Sequence, residues 1–162
     1  MLIHAPYYSG YIARVPDAPL AEVLERRPLA ALIDRCSEEQ LDYRYAPGKW
    51  SIREALIHCS DTERVFAYRL LWIARGNTSP LPGFDQNEFV EYGPSDATLE
   101  DLSAEYHAVR DATLTLLRTL PDEALDRMGE ASGYAVNARA LAHMLAGHEL
   151  HHVEVFTERY GL

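Results

Sequence analysis

Cysteine, lysine and long apolar runs are what this 162-residue sequence has least of. Two cysteines, Cys36 and Cys59, make no disulfide framework. Lys49 is the single lysine among 15 Lys+Arg, an imbalance we assign to codon usage rather than to an arginine-based site. Positive charge is short altogether. Against 25 Asp+Glu it leaves a formal charge of -10, which argues against nucleic acid and against an anionic membrane surface as partners. No stretch approaches the ~18 apolar residues of a membrane span, and no basic N-terminal arm precedes a signal-type run. The expectation is a cytoplasmic protein of one domain, spanning 1–162. Apolar residues still make up 48% of the chain, and a domain of this size buries ~70% of its unfolded surface without a staple.

The patterning is helical almost throughout. Residues 1–16 carry three tyrosines and two prolines without a helical period and read as an extended arm, leaving 17–162 as the helical part. A first helix is expected from Pro19 to Cys36, capped by Asp17 and interrupted at Pro28. The second has the clearest start: Ser51-Ile52-Arg53-Glu54 is a capping box, with Trp50 and Ala55 as its hydrophobic staple. It continues to Arg75 and stops at Gly76-Asn77. A Pro/Gly-rich connection holding GFDQNEFVEY follows, then a third helix from Thr98 to Leu120. After a loop over Gly129–Gly133, a fourth helix runs from Asn137 to Tyr160 and ends at Gly161. No strand alternation is visible. Four amphipathic helices with one crossover of roughly 20 residues predict an all-α four-helix bundle.

Four of the seven histidines lie in AHMLAGHELHH, residues 142–152. At about 100° per residue, with His148 as zero, Leu141 falls near 20°, Leu145 near 60°, Met144 near -40° and His152 near 40°. His148 and His152 therefore face the interior, whereas His143 points outward and His151 sits on the rim. On the second helix the same arithmetic puts His58 in one stripe with Ala55, Thr62, Val65, Arg69 and Trp72, flanked by Glu54 and Asp61. Three inward histidines on two facing helices make a candidate metal site with coordination positions left open, the catalytic rather than structural pattern. Burying three imidazoles without an ion would require three separate hydrogen-bond partners. Asp61, and less so Glu54, are candidates to orient a ligand or move a proton. Cys59 points about 100° from His58 and reads as packing rather than ligation.

His148-Glu149-Leu150-His151-His152 also matches H-E-x-x-H, the zinc-protease helix. The extended motif needs Gly at 154 and His at 158, where this sequence has Glu154 and Glu158. Only ten residues follow His152, too few for a later ligand-bearing helix. We set the protease reading aside.

WSIREALIHCSDTERVFAYRLLWIARG, GFDQNEFV and ALAHMLAGHELHHVEVFTERYG, in that order, resemble the DinB-like (DinB/YfiT-type) proteins over nearly the whole chain. The resemblance implies an up-down-down-up bundle, commonly a homodimer. It also implies a divalent metal on one His of the second helix and an H-x-x-x-H pair of the fourth, here His58, His148 and His152. Zinc or nickel leads, with iron or manganese as alternatives. Family members include thiol transferases using bacillithiol or mycothiol, a mycothiol-dependent maleylpyruvate isomerase, and stress-induced proteins of no assigned reaction.

The expected function is a metal-dependent transferase acting on a small-molecule substrate with a low-molecular-weight thiol as co-substrate. A metal-bound thiol loses its proton at neutral pH. The electrophile would sit in the bundle mouth beside Phe84, Asp85 and Gln86. Metal-assisted hydrolysis needs the same ligands with water in the open position. A non-catalytic metal-binding stress-response protein would instead close the sphere with Asp61 or Glu149. A bundle without metal is the fourth reading.

Overall fold

The computed structural model describes residues 1–162. A 3-10 turn (Pro6–Tyr8) leads into α1 (Ser9–Ile12), followed by α2 (Leu20–Glu25), α3 (Pro28–Ile33) and α4 (Ile52–Ala74). The crossover contains α5 (Gln86–Glu91). Then come α6 (Leu99–Thr119), α7 (Asp122–Leu125), a hairpin of β1 (Met128–Ala131) and β2 (Tyr134–Asn137), and α8 (Ala138–Val155). α8 widens into a π turn over Phe156–Tyr160 and stops at Gly161 in the left-handed conformation. No helix is long and apolar enough to cross a membrane.

The ends of the long helices lie where side-chain capping demands. Ser51 and Glu54 form a reciprocal capping box on α4, Thr98 and Asp101 do the same on α6, and Asn137 accepts from the Ala140 amide to open α8. The bundle interior consists of two large apolar halves with a polar layer between them, and a small third cluster of Val23, Leu24, Leu114 and Ala146. One half takes Leu29, Leu32 and Ile33 of α3, Ile52, Ala55, Leu56 and Ile57 of α4, Leu102 and Tyr106 of α6, and Phe156 after α8. The other takes Phe66, Leu70 and Ile73 of α4 and Leu141, Met144 and Leu145 of α8, with Leu116 and Leu117 of α6 and Leu20 of α2 at its border. α4 and α6 thus run from the first half to the second, while α2–α3 and α8 run back. This is the up-down-down-up order, which the 75–98 crossover makes possible by returning the chain to the end where α4 began. The layer between the halves holds His58, Glu63, Arg110, His148, Glu149 and His152, all buried.

Four local expectations are corrected. The first helix is two, because a residue before proline is disfavoured in the right-handed helical region. Arg27 takes φ 46°, its guanidinium bonds His107 and Asp111, and Pro28 restarts the chain at the head of α3. Pro19, not Asp17, occupies the N-cap of α2, without a side-chain cap. The arm is not extended: residues 6–12 coil tightly against α8 at Gly147, where a β-carbon would lie 2.1 Å from the Tyr11 carbonyl oxygen. Seven residues are too few to display a period. The segment around Gly129–Gly133 is a two-stranded hairpin whose turn, Ser132-Gly133, has φ 55° and 78°. That pair of positive values matches the right-handed twist of the strands, and four-residue strands show no alternation. Leu81 bridges to Ala131 and ties the start of the crossover to the hairpin.

Candidate metal centre

His58 projects from α4 and His148 and His152 from successive turns of α8, and one ring nitrogen from each lies within 4.8 Å of the other two. The residues are 3%, 5% and 8% exposed. His58 Nε2 and His148 Nε2 are 3.1 Å apart. Two nitrogens bound at 2.0–2.1 Å to one tetrahedral ion would be about 3.3 Å apart, so the pair already has near-ligating separation. His152 has no hydrogen-bond partner in the protein, and a single Nε2–H···Nε2 bond would leave it turned on the same point with nothing to bind. The donor set fits a divalent transition metal.

Electrostatics agree. Burial pushes the pKa of His58 down to about 4, and burial followed by the neighbouring imidazoles drives His148 and His152 well below the ordinary value. All three are neutral at pH 7, the ligating form. Thr62, one turn beyond His58, has its Oγ1 3.3 Å from His58 Nδ1. With Nε2 given to a metal, Nδ1–H donates to that hydroxyl and fixes the ring. The rings of Trp50 against His58 (4.6 Å) and Tyr11 against His148 (5.3 Å, edge-on) complete the packing.

The carboxylates are elsewhere. Glu54 accepts from Arg44 Nη2 at 2.7 Å and from the Ser51 amide, an arrangement whose arginine hydrogen bond, foremost, holds its pKa low. Asp61 accepts from Arg64, and its pKa is raised because burial outweighs that cation. Neither is hydrogen-bonded to a histidine of the triad. Glu149, the carboxylate of the H-E-x-x-H match, turns away from the triad. It accepts from Arg110 Nη1 at 2.8 Å and from the Tyr106 hydroxyl, while Arg110 grips Glu63 through Nε and Nη2 at 2.9 and 2.8 Å. Burial would depress the Arg110 pKa, but Glu63 and Glu149 more than offset this and leave it raised. The glutamate that a protease would need as base is thus committed to a buried ion network. Cys59 is buried too, and burial pushes its thiol well above the ordinary value, so it stays protonated and inert.

Two cavities flank the triad. One, of about 390 Å³, lies on the His152 side with Tyr45, Lys49, Trp50, Asn87 and His151 in its wall. The other, of about 320 Å³, lies on the His148 side between Tyr7, Tyr8, Phe66, Phe84 and Ser132. Tyr11, His58 and Gln86 border both. Of the loop residues expected at the mouth, Gln86 and Phe84 are there, whereas Asp85 caps α5 and faces an outer groove. Sequence reasoning missed the arm as a wall of the site. Gly147, a glycine inside an otherwise unbroken helical pattern, is the signal that marks a close backbone approach there.

The sequence profile of the DinB superfamily matches residues 23–156. Over 128 residues the chain is 27% identical to a protein of Oceanobacillus iheyensis provisionally named a metal-dependent hydrolase, covering 77% of this chain and 73% of that one. Its fold is that of YfiT from Bacillus subtilis, described as a probable metal-dependent hydrolase with an unusual four-helix bundle topology. The TM-score is 0.72 at 21% identity, covering 98% of this chain and 90% of that one. A mycothiol-dependent maleylpyruvate isomerase superposes with a TM-score of 0.67 at 17% identity, over 85% of this chain and 60% of that chain.

Proposed function

The chain belongs to the DinB superfamily, and from that premise we propose that it is a metal-dependent transferase that joins a low-molecular-weight thiol to a small electrophile. The observation that carries this reading is the pair of cavities meeting at His58, one on each side of the three histidines. A reaction of two organic substrates needs two such spaces around one centre. His58, His148 and His152 would hold the ion, with Thr62 fixing the His58 ring. A divalent metal there would lower the pKa of a bound thiol, so that a nucleophile is available at neutral pH. In the reaction the S–H proton passes to solvent, an S–C bond forms, and the leaving group departs with its bonding pair. Tyr11 and Gln86, shared by both cavities, hold the two substrates apart until their reacting ends meet. No protein carboxylate is hydrogen-bonded to the triad, which supports acid–base work by solvent rather than by Glu54, Asp61 or Glu149.

Hydrolysis is the second reading, favoured by the names of the two metal-dependent hydrolase relatives. It would use the same ligands with water in place of the thiol. The test is conjugation of monochlorobimane by the metal-loaded protein across a panel of small thiols. Conjugation above the rate of the metal-free protein is expected with at least one of them; none with any would end the transferase reading. Inhibition of ester or amide cleavage by the same thiols would favour hydrolysis instead. Homodimerisation and a cytoplasmic location belong to the same proposal, the first read by light scattering.

A further inference from the structure

Two arginines are buried at the core of this protein, and they are treated differently. Arg110, fully buried, has two carboxylates. Arg69, 3% exposed, has only neutral partners. Its Nη2 donates to the Pro82 carbonyl at 2.7 Å and to Ser132 Oγ at 3.1 Å, and the Phe84 ring lies 5.6 Å from its guanidinium carbon. No carboxylate pairs with it. Asp85 and Glu88 share its outer groove but are solvent-exposed, and the Asp85 side chain is spent on the amides of Asn87 and Glu88. A buried cation without counter-charge is destabilising, and an anionic ligand beside it would offset that cost.

The surroundings are built to hold it there. Ser132 adopts φ 55°, a conformation uncommon for a residue with a side chain, and its hydroxyl reaches Arg69. The bridge from Leu81 to Ala131 pins that turn. Ser132, Phe84 and Tyr8, the groups around the guanidinium, all face the 320 Å³ cavity, whose opposite end is His58 and His148. Burial, then Tyr7, push the Tyr8 hydroxyl up to about 12, with Arg69 opposing, so it remains a donor at neutral pH. Arg69 itself lies behind these groups and opens on the outer groove. One end of the cavity therefore offers hydroxyl donors backed by a buried cation, the other offers the candidate metal centre, and aromatic rings line the space between.

We propose that this cavity takes a small organic molecule bearing a carboxylate, with Ser132 and Tyr8 as its hydrogen-bond donors, Arg69 as the counter-charge behind them, and Phe66 and Phe84 against its apolar body. The inference rests on the reading of the triad as a reaction centre and names the substrate class for it.

The test is calorimetric titration of 3-phenylpropanoate against 3-phenylpropanamide, on metal-free and metal-loaded protein. The wild type, and Arg35→Gln as an exposed control, should prefer the acid by about tenfold in both forms, a difference of ~1.4 kcal/mol. Arg69→Gln should abolish the preference and Arg69→Lys should keep part of it. Should Arg69→Gln fail to fold, Ser132→Gly removes the hydroxyl at a φ glycine favours and should weaken acid binding several-fold. Equal affinities in the wild type, absence of binding by either compound at millimolar concentration, or a preference that survives Arg69→Gln would each overturn the proposal. The last of these, seen only with metal present, would place the carboxylate on the ion. Metal content of the same samples tests the centre separately. Protein that takes up no metal yet prefers the acid contradicts the reaction-centre reading alone, and metal-loaded protein indifferent to the acid contradicts this inference alone.

Discussion

Arg110→Met removes the one cation from a buried cluster that otherwise holds two carboxylates. Arg110 is fully buried, and the side chains of Glu63 and Glu149 are 8% and 6% exposed. In the variant Glu63 loses both hydrogen bonds to the guanidinium, and Glu149 keeps only Tyr106. Breaking a buried pair from one side costs about 3–5 kcal/mol, because the stranded charge has neither water nor partner. For a chain of this length each kcal/mol moves the melting temperature by ~2–4 °C, so a fall of roughly 6–20 °C is expected. Urea denaturation with the slope checked against wild type measures it. Adding Glu63→Leu and Glu149→Gln should recover at least half of the loss, since the side-chain amide introduced on α8 still accepts from Tyr106 and no charge is left buried. A loss below about 1 kcal/mol for Arg110→Met with an unchanged slope would refute the account of this layer as a closed network held by its one cation.

Elemental analysis of untagged protein should find about one transition metal per chain, lost in both His58→Ala and His148→Ala, because two imidazoles hold such an ion far less well than three. Retention in His58→Ala would mean that α8 binds the metal alone. Asp61→Asn and Glu54→Gln should leave metal content unchanged. Glu54→Gln should lower stability by about 1 kcal/mol through the weakened cap and the lost Arg44 pair, read by thermal melting. Gly147→Ala gains up to ~1 kcal/mol of helix propensity but drives a β-carbon into the Tyr11 carbonyl at 2.1 Å, and overpacking against backbone costs about 1–3 kcal/mol. The arm should detach, and limited proteolysis within residues 1–12 should accelerate; an unchanged cleavage rate would count against its docking at Gly147.

The long helices were legible in the sequence because their signals are local. Ser51 with Glu54 and Thr98 with Asp101 mark helix starts by bonds made within one turn, and the 100° step places His58, His148 and His152 on inward faces whatever lies opposite. The family pattern added the order of the helices. Partnership between distant side chains was not legible. Which carboxylates Arg110 captures, that Glu149 leaves the histidines for Tyr106, and that Glu54 goes to Arg44 depend on contacts separated by 10 to 47 positions. No spacing rule encodes these. The arm and hairpin escape a pattern reading because seven helical residues and four-residue strands span only about two repeats of their periods, too few to stand out. They are stabilised by docking, at Gly147 and against Ile73, rather than by their own propensity. Two helices set three imidazoles facing inward by local geometry alone. Only packing of the arm, crossover and hairpin around them decided that the triad opens onto two cavities and that an unpaired arginine lies behind the wall of one, because enclosed space forms only when the surrounding surfaces meet.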